Sequence, residues 1–176
     1  MPLVRCSLMS FICHTCGESH EGIPLSFAAD FPDQYANMPP DERDNRCIIG
    51  SDQCVIDHEA FFVRGILEIR VPESEQMFLW GLWANVWEKD YDEISESWDE
   101  VGRENRHGPF KARLANKLSV YPDTMNLELT IHVQPVGQRP LFFVDEENHP
   151  LAVAQHLGMS AKDTSELVSR LLHLGT

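Results

Sequence analysis

Cys13 and Cys16, in the stretch CHTCGESHEG, stand two residues apart and are followed by Gly17. That spacing, with a small turn residue behind it, lets two thiolates face one tetrahedral ion. A structural zinc takes four ligands, and the sequence offers His20, Cys47 and Cys54 to complete the set. His14 lies between the two cysteines and is less suited to turn inward with them. Six residues separate Cys47 from Cys54, wider than a second knuckle, so an all-cysteine set and one that uses His20 both stay open. The expected cofactor is structural zinc. The competing readings are reduced thiols without metal and a redox pair; the latter lacks the strand-to-helix setting of a thioredoxin-like motif. Glu18 and Glu21 are near, but the chain has no HExxH and no HxE with PCxxC, so a metal here would hold the chain rather than act on a substrate. P-loop, GxGxxG and GxSxG patterns are also missing, leaving no motif for nucleotide binding or acyl transfer.

A second constellation lies in the strand-like segments. FFVRGILEIRV (61–71) alternates, with Phe61, Val63, Gly65, Leu67, Ile69 and Val71 on one face and Phe62, Arg64, Ile66, Glu68 and Arg70 on the other. LELTIHVQP (127–135) turns Leu127, Leu129, Ile131 and Val133 inward and Glu128, Thr130, His132 and Gln134 outward. MFLWGLWANVWE (77–88) is apolar on both faces, as in a central strand covered on both sides, and brings Trp80 or Trp83 to the outward set. A face mixing Arg64, His132 and Trp80 or Trp83 has the character of a ligand or partner surface, against the plainer reading of a wetted sheet face.

These groups need elements to position them. Residues 24–45, rich in Pro, Asp and Asn, read as loop with short helical turns. QCVID (53–57), FKARLANKLS (110–119) and RPLFFVD (139–145) add strands, with Pro140 marking an edge or a strand start. KDYDEISESWDEVGRENRHG carries Tyr91, Ile94, Trp98 and Val101 at helical spacing, an amphipathic helix with an acidic outer face. Near the end, HPLAVAQHLG starts a helix at Pro150 and stops it at Gly158, and SAKDTSELVSRLLHLG opens on a Ser160–Asp163 cap. Strands joined by short turns predict an α+β domain: a mostly antiparallel sheet, with the acidic amphipathic helix and two C-terminal helices packed on it, and the N-terminal Cys-x-x-Cys knuckle. Residues 1–9 read as a tail or a mis-annotated start, with Met9 as the candidate true start, and 10–176 as one domain.

The bulk numbers narrow the partners. A chain of 176 residues, 43% hydrophobic and 24% charged, has the balance of a soluble domain with a substantial core. With 28 acidic against 14 basic residues, the net charge of −14 disfavours nucleic acid and anionic membrane as direct partners. Five cysteines, an odd count with no export signal ahead of them, suit a cytoplasmic protein better than a disulfide framework. The partner is then a protein or a small molecule, and the oligomeric state is not legible.

Taken in order, FICHTCGESHEGIPLSFAADFP, GSDQCVID, FFVRGILEI, FLWGLWANV, GPFKARLANKL, YPDT, RPLFFVD and HPLAVAQHLG resemble a bacterial family of uncharacterised proteins, domain-of-unknown-function family 2199. The resemblance implies a small, soluble, single-domain bacterial protein starting near Met9, and favours Cys54 over Cys47 as partner of the knuckle. It brings no activity with it. Three functions follow as expectations: a non-enzymatic binding or regulatory module with a structural zinc, an enzyme with a pocket around Arg64 and His132, or an acidic inhibitor of a basic partner protein.

Overall fold

The computed structural model describes residues 10–12, 16–73 and 75–173, with the backbone alone at 10–12, 20 and 21. In chain order the elements are β1 (Ser10–Ile12), β2 (Ser19–Glu21), β3 (Ser26–Ala28), α1 (Asp33–Ala36), α2 (Pro40–Arg46), β4 (Cys47–Ile49), β5 (Gln53–Ile56), β6 (Ala60–Val71) and β7 (Gln76–Val86). They continue with α3 (Glu88–Glu96), a 3-10 turn (Arg103–Asn105), β8 (Phe110–Leu114), β9 (Glu128–His132), β10 (Leu141–Val144), α4 (Pro150–Leu157) and α5 (Ala161–Leu172).

The expected mostly antiparallel sheet with helices packed on it is corrected to a closed barrel. Strands β6, β7, β8, β9 and β10 pair antiparallel in sequence order, and β10 then meets β6 in parallel through Leu141 and Ile66, completing a five-stranded ring. The backbone N–H of Ile66 donates to the Pro140 carbonyl at the same seam. Pro140 thus leads into a strand flanked on both sides, not an edge. Closure follows from side-chain volume: a small barrel must be filled by its own inward side chains. Val63, Leu67 and Ile69, with Phe78 and Leu82, Leu114, Leu129 and Ile131, and Phe142, all lie buried in one apolar cluster. Gly65 supplies the space for one of them, because a Cβ there would lie 2.2 Å from Cε1 of Phe142. The ring is extended by β5 and β4 beyond β6 and by β3, parallel to β7. β1 and β2 form a separate two-stranded pair.

The outward side of β6 and β7 carries a second, smaller core, in which Met38, Cys54, Ile56, Phe62, Trp83 and Ala115 pack under the α1–α2 segment. Asn116 ties that segment down: it accepts from the Trp83 backbone N–H at 2.8 Å and donates to the Phe31 carbonyl and to Asp33 at 2.9 and 3.0 Å.

The C-terminal helices form as their caps predict. Nδ1 of His149 accepts from Leu151 N–H ahead of α4, and the Ser160 hydroxyl accepts from Asp163 N–H ahead of α5. The acidic helix is shorter than its pattern suggests. α3 ends where the Ser97 hydroxyl bonds back to the Glu93 and Ile94 carbonyls, and Gly102 at φ 81° turns the chain into the 3-10 turn. Ile94 reaches the core, but Val101 is 83% exposed. No Cys-x-x-Cys knuckle is among the described elements: Cys13 lies outside the described residues, and Cys16 is exposed in the turn before β2. Among the described residues, no helix is long and apolar enough to cross a membrane.

Candidate functional site

The outward face of β6 has alternating side chains that the barrel does not use, and one stretch of it forms the floor of a cleft. Ile66 and Glu68 of β6 and Leu141 of β10 line that floor. The walls come from loops: Trp98 and Arg103 from the segment after α3, Gln134, Gly137 and Gln138 from the turn after β9, Arg139, and Asp52 from the turn before β5. The cleft is open on one side and has a volume of about 550 Å³, within the usual range for a small-molecule site.

Arg103 fixes two walls at once. It is only 1% exposed. Its Nε donates to the Gln134 carbonyl at 2.7 Å, Nη1 to that of Trp98 at 2.7 Å, and Nη2 to that of Gln138 at 2.9 Å. Its guanidinium also lies 4.9 Å from the centroid of the Trp98 ring. The five-donor planar fork of arginine satisfies three carbonyls on two separate segments, which a lysine head cannot do from one position.

Across the cleft, Asp52 and Arg139 form an ion pair, Nε to Oδ1 at 2.5 Å. Burial opposes the charge on Asp52, but hydrogen bonds from Ser51 and Arg139, with the charges of Arg139 and Arg64, outweigh it and hold the carboxyl below its usual range. The pair uses only Nε of Arg139, and its two Nη groups meet no hydrogen-bond partner among the described residues. Arg64 stands behind, donating from Nη2 to the Ala29 carbonyl at 3.0 Å and from Nη1 toward that of Ser51 at 3.5 Å.

The residues singled out in the sequence fall in different places. Arg64 and Trp83 are opposite each other on β6 and β7, the guanidinium 5.8 Å from the indole, and both donate to the Ala29 carbonyl. Trp80 points the other way, into the barrel opposite Leu67, in edge contact with Phe78 and Tyr121. His132 is exposed on β9, its ring 5.2 Å from that of Phe143. Neither Arg64 nor His132 lines the cleft. Arg103 and Asp52 carry no signal in the local pattern, because their partners are backbone carbonyls and a residue far along the chain.

The cysteines also separate. Cys54 is fully buried in the smaller core beside Phe62 and Trp83, and burial, then the neighbouring Cys47, push its thiol up to about 12. Cys47 is half-buried against Met38, Sγ to Sδ at 3.6 Å, and burial and then the charge of Asp57 raise its pKa. Without a metal beside them, both surroundings favour the neutral thiol. Cys13 lies outside the described residues, as does the side chain of His20. Among the described residues, no group of three or more His, Cys, Asp or Glu side chains could hold a metal ion. Cys54 is therefore expected to resist alkylation in the folded chain at pH 8 and to react only after denaturation. Peptide-resolved mass spectrometry of iodoacetamide-treated protein reads this directly.

Residues 12–159, which include every cleft residue, match the family model described as uncharacterized protein conserved in bacteria, DUF2199. The chain belongs to DUF2199. No curated protein and no solved structure matches it. The part of the chain that matches DUF2199 contains the five barrel strands and the cleft residues, and the family's description assigns no chemistry to them.

Proposed function

We propose that this DUF2199 protein is a non-enzymatic binding module, and that its ligand is a small zwitterion carrying a carboxylate and an ammonium group. The observation that carries the reading is the cleft on the barrel wall. There Arg139 keeps both Nη groups for an incoming carboxylate while Asp52 holds it by Nε, and Glu68 offers a carboxylate on the same floor. Arginine is suited to planar, bidentate capture of a carboxylate. Arg103 supports the reading by fixing the loops that form the walls, so that little order has to be imposed on binding. The converging groups supply contacts more than proton transfer: Asp52 is a tied carboxylate and the arginines stay charged.

The test is a titration of the folded chain with L-glutamate, L-aspartate, glycine and L-lysine, followed by isothermal calorimetry. At least one of these is expected to bind with a Kd of about 1 mM or tighter. Arg139→Ala is expected to weaken it by about tenfold or more, the loss of a charged hydrogen bond. Retained affinity in Arg139→Ala would remove the reading.

A further inference from the structure

His107 follows the 3-10 turn and is not part of the cleft, yet it braces the segment that forms one wall. Its Nδ1 is 2.9 Å from Oε1 of Glu93 on α3, and its Nε2 is 3.0 Å from Oε2 of Glu100 in the turn after α3. A neutral imidazole has one N–H and can donate to one of these carboxylates; only the imidazolium donates to both. The charged groups facing the ring are Glu93 from α3 and Glu100 from the following segment. Arg106 pairs with the other oxygen of Glu100 at 2.6 Å. The backbone N–H of His107 donates to the Arg103 carbonyl at 3.0 Å, so the brace is linked to the arginine that anchors both loops.

We propose that His107 is a pH-sensitive latch on the cleft wall: as an imidazolium it clamps Glu93 and Glu100 together and holds the Trp98–Arg103 segment in place, and on losing its proton it releases one carboxylate and loosens that wall. The proposal rests on the cleft reading for its consequence, since the wall it holds is the wall of the proposed ligand site. The latch itself is a property of the ligand-free chain.

The direction follows from the contacts. Hydrogen bonds to Glu93 and Glu100, reinforced by their charges, raise the pKa of His107 above its ordinary 6.5. A group whose folded-state pKa is raised contributes fully below its unfolded value, and the contribution is lost as pH climbs through the folded value. The wall is thus tightest below the ordinary histidine value of 6.5 and slackens as pH climbs through the raised midpoint of the folded chain.

The experiment uses the ligand-free full chain. Histidine side-chain NMR is expected to show His107 titrating above 6.5, with Glu93→Gln and Glu100→Gln each lowering its midpoint. Hydrogen exchange of amides 97–107, corrected for the intrinsic pH dependence of exchange, is expected to lose protection by about twofold to fivefold as the imidazolium is titrated, as for a solvent-screened ion pair. In His107→Gln that pH dependence should vanish. A His107 midpoint at or below 6.5, or the same protection profile in His107→Gln, would overturn the latch. Should His107→Gln not fold, the midpoints in the two glutamine variants decide the matter alone. Because no ligand is present, failure of the latch and failure of the ligand reading give separate results.

Discussion

Gly65→Val is expected to yield a chain without a cooperative unfolding transition, and Gly65→Ala a folded chain less stable by about 3 kcal/mol, the upper end of the cost of overpacking a core. The cause is steric. A Cβ at position 65 falls 2.2, 2.4 and 2.7 Å from Cε1, Cζ and Cδ1 of Phe142, whose ring is fully buried in the barrel. Gly65 is on β6 and Phe142 on β10, the two strands whose parallel pairing closes the ring. The strain therefore falls on the seam, where the ring has its shortest register. Urea denaturation measures the loss. The double variant Gly65→Ala with Phe142→Leu is expected to recover about 1 kcal/mol relative to the sum of the singles, as for residues in contact. Strict additivity would show that the two side chains do not meet.

The second large effect is expected at Arg103. Arg103→Met keeps the bulk of the side chain but leaves the Trp98, Gln134 and Gln138 carbonyls without their donor. Unsatisfied buried acceptors cost about 1–3 kcal/mol each, partly offset because a cation no longer has to be desolvated. A net loss of about 3 kcal/mol is expected on that balance. Exchange protection should fall specifically in 97–107 and in 134–138. Arg103→Lys is expected to rescue little, since one ammonium cannot serve two segments in the arginine geometry. A lysine variant as stable as the parent would show that the charge, not the fork, matters.

These two residues also mark what the sequence could and could not convey. The alternation in 61–71 reports correctly that Val63, Gly65, Leu67 and Ile69 share the inner face, because the strand period is set locally by the pleat. It does not report which strand lies beside β6 at its other edge. The antiparallel order was legible from short turns, but closure depends on the pairing of Leu141 with Ile66, far apart in the chain, and no local pattern encodes that. Capping was readable at Ser160 and His149 because the bonding groups are neighbours. The helical spacing of Trp98 and Val101 misled, since Ser97 and Gly102 break the helix while the apolar period runs on.

The site was harder still. Spacing among Cys13, Cys16, Cys47 and Cys54 is visible, but burial is not, and it is the fold that sets Cys54 in the smaller core beside Phe62 and Trp83. Arg103 was hidden for a more general reason. Its acceptors are backbone carbonyls, which every residue carries, so no residue type at Trp98, Gln134 or Gln138 announces the contact. Asp52 and Arg139 are each ordinary surface residue types, and only the fold brings them together.

NMR mapping of the arginine Nε–H and backbone amide signals, during addition of the amino acid that binds tightest in calorimetry, tests the cleft as a binding surface most directly. The prediction is a saturable set of shifts confined to Arg139, Gln134, Gln138, Glu68 and Leu141, which in Arg139→Ala needs about tenfold more ligand to reach the same extent. Saturable shifts that gather elsewhere on the barrel, or that persist unchanged in Arg139→Ala, would contradict it.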